Sequence, residues 1–168
     1  MHLDPFLHLY DIAPQRHDHA AVMTCAESDL LVPKLPGCKA KNLFLQAKKS
    51  QRHLLVTVAS DRSVDLARLG EVLGVGRLGF ASAARLASHL GVTPGAVSLL
   101  ALLNDTAHAV EFVIDRSLWE ADAVQAHPLV NTATALVMHA DLVVFLAASG
   151  HAARVIDVPV KTPEEVAS

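Results

Sequence analysis

The sequence predicts an α+β fold: a single domain with a mixed, mainly antiparallel sheet and flanking helices. Three observations lead there. The chain has 168 residues, 52% of them hydrophobic and 18% charged, which suits one compact core. Apolar runs of strand length come in pairs separated by polar turns. Segments with helical spacing fall between those pairs without a strict strand–helix–strand alternation, which disfavours a purely parallel sheet.

Taken in order, residues 19–24 (Ala-Ala-Val-Met-Thr after His19) have the composition of a short strand. Residues 25–35 open with an acidic turn followed by apolar residues, as a short helix does, and Pro36-Gly37 ends it. Residues 41–46 and 53–59 flank a Lys-Lys-Ser-Gln turn and predict a β-hairpin. Over 63–73, Val64, Leu66, Leu69, Val72 and Leu73 recur at helical spacing and Gly74 supplies the stop. A strand is expected at 78–81. Ser82 then caps a helix over 82–90 that Gly91 terminates. Residues 97–103 and 109–114 flank Asn104-Asp105 and predict a second hairpin. A strand at 132–138, a helix at 139–148 before Gly150 and a closing strand at 154–158 complete the set. The domain is expected to span residues 1–160, with 161–168 as a loose tail.

No apolar run approaches the roughly 20 residues that a membrane-spanning helix needs. The opening Met1-His2-Leu3-Asp4-Pro5 lacks the basic and apolar regions of a secretory signal, so a cytoplasmic protein without a membrane partner is expected. Cys25 and Cys38 form no Cys-x-x-Cys pair and suit a reducing compartment. Net charge is -3, but Lys34, Lys39, Lys41, Lys48, Lys49 and Arg52 fall in one stretch that contains no acidic residue. A basic island on an acidic body can hold a polyanion at one place and repel it elsewhere.

Two motifs imitate chemistry. Gly74-x-Gly76-x-x-Gly79 matches a dinucleotide fingerprint, but it follows a helix where the fingerprint needs a strand, and no acidic residue lies about 20 positions on. His17-Asp18-His19 is the densest part of a set of ten histidines, without a third ligand at a recognised spacing, so no metal is expected.

Three segments remain. Lys41-Asn42 stands at the mouth of a strand, where a cation and an amide can bind a phosphate, a ribose or an ester carbonyl. Pro94-Gly95-Ala96-Val97-Ser98 reads as a tight turn whose backbone N–H groups can approach a substrate closely. His127-Pro128 is biased to extended backbone, with Asn131 four residues on. Singly, each also fits a structural role.

Together and in this order, Lys41-Asn42-Leu43-Phe44-Leu45, Pro94-Gly95-x-Val97-Ser98 with the following Leu102-Leu103-Asn104-Asp105, and His127-Pro128-Leu129-x-Asn131-Thr132 resemble the YbaK/prolyl-tRNA-synthetase-associated editing domains. Within them the pattern is most similar to the free-standing ProXp-ala branch, the Ala-tRNA(Pro) deacylases, over about residues 17–158. Two positions depart from the family pattern: Gln46-Ala47 where an Asp is common, and Leu99 where the loop carries a proline. The resemblance implies a trans-editing hydrolase that frees alanine from mischarged tRNA(Pro), without a cofactor. It implies Lys41 and Asn42 as catalytic residues and Gly95, Ala96, Val97, Ser98, His127 and Asn131 around the substrate. The acceptor end of the tRNA would lie on Lys34, Lys39, Lys48, Lys49 and Arg52; a prolyl-tRNA synthetase is a possible partner and DNA is not. The alternatives are a deacylase of Cys-, Ser- or Thr-charged tRNA and a catalytically silent tRNA- or synthetase-binding module.

Overall fold

The computed structural model describes residues 2–32 and 34–168. Its centre is a long antiparallel hairpin, β2 (Cys38–Ala47) with β3 (His53–Ala59), in which Asn42 faces Thr57 and Leu45 faces Leu54. Side chains alternate between faces along a strand. Leu43, Leu45 and Ala47 therefore join Leu54, Val56 and Val58 in one core, while Phe44 and Leu55 belong to another on the opposite face.

Around the hairpin the strands run β1 (Gln15–Asp18), β7 (Ala133–Met138), β6 (Ala123–Ala126), β2, β3, β5 (Val110–Asp115) and β8 (Ala153–Ile156); β4 (Leu78–Phe80) lies beside β2, off this path. Four pairings are antiparallel (β1·β7, β6·β7, β2·β3, β2·β4) and three parallel (β2·β6, β3·β5, β5·β8), a mixed sheet as expected. One core is closed by α3 (Leu66–Leu73). The other lies under α1 (Leu3–Leu9), α4 (Ala83–Leu90) and α6 (His139–Ser149).

The helices at 66–73, 83–90 and 139–149 begin and end close to where their caps and glycines place them. Ser82 Oγ accepts from Arg85 N–H, and Gly74 ends α3 in the left-handed region at φ +68. The first two glycines of the motif are explained by backbone conformation: Gly74 and Gly76 lie in the left-handed region at φ +68 and +72, with open space where a Cβ would stand. A Cβ on Gly70 would stand 2.0 Å from Gly76 O, so the turn after α3 folds directly against the helix.

Several expectations are corrected. Residues 97–103 are not a strand and form no hairpin with 109–114: Leu99–Asn104 is a 3-10 helix, and β5 pairs in parallel with β3 and β8. Leu99 to Leu103 are all buried, and an apolar run enclosed on every side carries no period to separate strand from helix. The strand expected at 19–24 lies earlier, at β1; residues 19–24 lead instead to Thr24, which starts α2 (Cys25–Leu31) with a reciprocal capping box to Glu27. That helix stops short of its expected end at 35, and residue 33 within the expected range is outside the described residues. The tail at 161–168 is not loose throughout, because Thr162 and Glu165 cap α7 (Pro163–Ala167). The short elements α1, α5 (Arg116–Trp119) and β6 had no expected counterpart.

One feature of the sheet positions the site. On the edge away from β3, β2 pairs with β6 only at Cys38 and Lys39, and with β4 only at Leu45 to Ala47. Between those two partners the edge is open, and Ala40 to Leu43 border a notch.

Candidate functional site

The notch opens into a cleft lined by Lys39, Ala40, Lys41 and Asn42 from β2, Gly95 and Val97 from the loop before the 3-10 helix, and Gln125, Ala126 and His127 at the end of β6. Residues 22–25 and Ser28 close it from the side of α2, and Thr134 from β7. Segments separated by more than 80 residues thus meet in one small concavity.

Alternation sends Lys41 and Asn42 to opposite faces of β2. Lys41 stands opposite Val58 and is half-buried. Among the described residues it has no ion pair and no side-chain hydrogen bond, whereas Lys39, two residues before it, is paired with Asp29. Asn42 is fully engaged: Thr57 Oγ1 donates to its Oδ1 at 2.6 Å, and its Nδ2 donates to Val97 O at 3.4 Å. The amide therefore braces the loop against the hairpin.

That loop is a type II turn. Ala96 N–H donates to Thr93 O at 3.1 Å across Pro94-Gly95, and Gly95 sits at φ +92, a conformation that favours glycine at this position. A Cβ there would also stand 2.8 Å from Met23 Sδ. Asn131 Nδ2 donates to the same sulfur at 3.2 Å, so Met23 is held between the glycine turn and Asn131. Ala96 and Ser98 do not line the cleft. Ala96 is in the core, and Ser98 is fully buried, its Oγ accepting from Leu100 N–H to start the 3-10 helix. Gly95 and Val97 do line it, and among the described residues their N–H groups have no backbone acceptor. Leu99, where the family pattern carries proline, is buried at 0% exposure, so core packing supplies the restraint a proline ring would have given.

His127 Nδ1 donates to Ala133 O at 3.0 Å, which fixes the tautomer and leaves Nε2 as an acceptor. Burial pushes its pKa below the ordinary histidine value and outweighs that hydrogen bond; His19 and Lys39 push in the same direction. The ring is neutral at pH 7. His19 itself is bonded to Thr134 Oγ1 at 2.9 Å and to its neighbour Ala20 O, and among the described residues no three His, Cys, Asp or Glu side chains are grouped to hold a metal.

The basic island is divided. Lys39 and Lys41 reach the cleft, and Lys34 lies exposed in the segment before β2. Lys48 and Lys49 occupy the hairpin turn, about 20 Å further along β2 at about 3.3 Å per residue. Arg52 is held by Glu111 in a two-point fork of 2.6 and 2.7 Å, which raises its pKa. Sequence reasoning passed over the wall contributed by residues 22–25 and Ser28, and over Gln125 and Thr134. Of these, Val22, Met23 and Thr24 fall in the Ala-Val-Met-Thr segment that fits the family pattern, and Thr24 also forms a capping box with Glu27, but neither signal marks a cleft. Gln125 anchors the approach to β2 by donating to Leu35 O and Pro36 O at 3.0 and 3.1 Å.

Comparison with known proteins bears on this geometry. The family described as "Aminoacyl-tRNA editing domain" matches residues 19–145. The chain is 35% identical over 140 residues to the prolyl-tRNA editing protein ProX of Acetoanaerobium sticklandii, covering 83% of this chain and 85% of that protein. It is 38% identical over 150 residues to prolyl-tRNA synthetase associated domain-containing protein 1 of Xenopus laevis, covering 87% and 89%. A crystal structure of a candidate trans-editing enzyme for prolyl tRNA synthetase superposes with a TM-score of 0.70 at 18% identity, covering 95% of each chain, which supports the fold.

Proposed function

Since the chain belongs to the aminoacyl-tRNA editing domain family, we propose that it acts as a trans-editing hydrolase on mischarged tRNA(Pro), releasing alanine. The observation that carries this reading is the meeting of an unpaired Lys41 with the Gly95 turn in one narrow cleft. The relatives' names, prolyl-tRNA editing protein and prolyl-tRNA synthetase associated domain protein, supply the tRNA context.

The chemistry needs little more than this cleft offers. An aminoacyl ester is already activated, so its hydrolysis requires a positioned water and stabilisation of the oxygen that gains charge. Lys41 holds the terminal phosphate or ribose by charge. The free N–H groups of Gly95 and Val97 receive the ester oxygen, and neutral His127 offers an acceptor that orients water or the substrate's ammonium group. Asn42 acts by holding the turn in place. Met23, packed on Gly95, narrows the cleft and favours a small acyl group. A synthetase pocket shaped for proline rejects a smaller residue weakly, since a lost methylene is worth only about 1–3 kcal/mol, and a second site that admits small products corrects the error. We place the reaction in the cytoplasm, beside prolyl-tRNA synthetase.

The test is a deacylation panel of tRNA charged with Ala, Pro, Cys, Ser and Thr. Ala-tRNA(Pro) should be hydrolysed fastest and Pro-tRNA(Pro) spared. Lys41→Ala should lose about 10- to 100-fold in kcat/KM, the worth of one hydrogen bond between charged groups, while keeping its circular dichroism spectrum. Full activity in that variant removes Lys41 from the mechanism. Faster turnover of Cys-, Ser- or Thr-tRNA reassigns the substrate, and no turnover of any leaves a binding module.

A further inference from the structure

Beyond the cleft, along the same edge of β2, the structure carries an aromatic ring that the core does not use. Phe80 closes β4 and is 64% exposed. It is directly opposite Leu45, and cross-strand partners share a face, so Phe80 projects on the face that Lys41 occupies four residues earlier on β2. Four residues of strand span about 13 Å, the length of roughly four stacked nucleotides at about 3.4 Å each. Beyond Phe80 the chain leads back to Arg77, whose carbonyl accepts from Lys48 N–H at 2.9 Å, and to the turn with Lys48 and Lys49. Lys48 crosses β4 from its other face, its side-chain end where a Cβ on Gly79 would stand. Among the described residues none of Lys48, Lys49 and Arg77 is in an ion pair. The order along this edge is thus cleft, exposed ring, unpaired cations.

We propose that Phe80 is a stacking platform for a base of the single-stranded 3′ end of the RNA, upstream of the esterified nucleotide in the cleft, with Arg77 and Lys48 holding the phosphates that follow. An exposed ring flanked by cations suits this partner because every base has a face to stack on and every linkage a charge to neutralise. A protein partner would be served by a broader apolar patch; here Lys41 lies about 13 Å along the ring's own face and Lys48 reaches β4 from the other.

This inference rests on the editing reading, and the experiment separates the two. Phe80→Ala and Phe80→Trp are assayed on Ala-tRNA(Pro) and on 3′-O-alanyl-adenosine, which lacks the upstream nucleotides. Phe80→Ala should raise KM for the tRNA at least about five-fold, the low end of one base–aromatic stack, with kcat retained. Its hydrolysis of the adenosine ester should equal wild type, and Phe80→Trp should restore the tRNA KM. An unchanged KM, or an equal loss on both substrates, overturns the platform. Uncharged tRNA(Pro) should also quench the fluorescence of Phe80→Trp beyond that of the single native Trp119. If wild type hydrolyses neither ester, the editing reading falls; quenching then still supports the platform, and its absence overturns it.

Discussion

Two adjacent side chains, Lys41 and Asn42, show how much a strand's alternation decides. One leaves its charge free at the cleft, and the other spends both ends of its amide holding the hairpin and the glycine turn together. Gly95 is the residue with least tolerance, since its backbone lies at φ +92 and its missing side chain leaves room for Met23. Gly95→Ala should destabilise the fold by about 1–3 kcal/mol from backbone strain alone, read as a lower urea midpoint. It should also slow deacylation. Adding Met23→Ala relieves the contact with the sulfur but leaves the backbone strain, so the double variant should recover part of the stability and not all of it. Complete recovery would mean that the turn's conformation is unstrained for alanine.

At the scale of elements, the turn that ends the 3-10 helix is anchored by a buried acid. Asp105 accepts from Ala109 N–H at 3.0 Å, Val110 N–H at 2.8 Å and His151 Nε2 at 3.1 Å, which ties the 3-10 helix to the start of β5 and to the segment before β8. Burial alone pushes the pKa of Asp105 up, but the bonds from His151, Val110 and Ala109 outweigh it and the net shift is downward. A carboxylate with a lowered folded pKa adds stability above its unfolded value, near pH 4, and that stability is lost as pH falls through the folded value. Asp105→Ala strands buried donors, each costing about 1–3 kcal/mol. The variant should melt well below wild type at pH 7, and the gap should narrow below about pH 4. A gap that is constant from pH 7 to pH 3 would contradict the charged carboxylate. The same anchoring explains why a segment of strand composition became a helix here: its polar ends are satisfied by Ser98 and Asp105, and its apolar middle is buried on every side.

For the whole molecule, the proposed path of the RNA follows the distribution of charge. The net charge is -3, yet Lys39 and Lys41 at the cleft and Lys48 and Lys49 at the hairpin turn mark the two ends of β2. Binding of tRNA(Pro) should therefore weaken linearly with log salt, and Lys48→Ala should lower the slope by about 0.7–0.9, the release expected from one phosphate contact. Arg52→Ala should leave the slope unchanged, because its guanidinium is committed to Glu111. A flat plot for wild type would remove this edge as the docking surface. Much of this protein was legible before any coordinates. Local chemistry marks the ends of helices at Ser82, Gly74, Gly91 and Gly150, the turn between β2 and β3, and the Pro94-Gly95 bend, because caps, glycines and polar turns act over a few residues. The three segments quoted from the sequence also pointed to one family. Tertiary structure alone decided that β5 lies parallel to β3, that Ala96 and Ser98 face the core, that Asn42 is a brace, and that β2 exchanges one neighbour for another and leaves a gap between them. Those outcomes depend on pairings between residues far apart in the chain, and local periodicity carries no information about which distant strand will lie alongside.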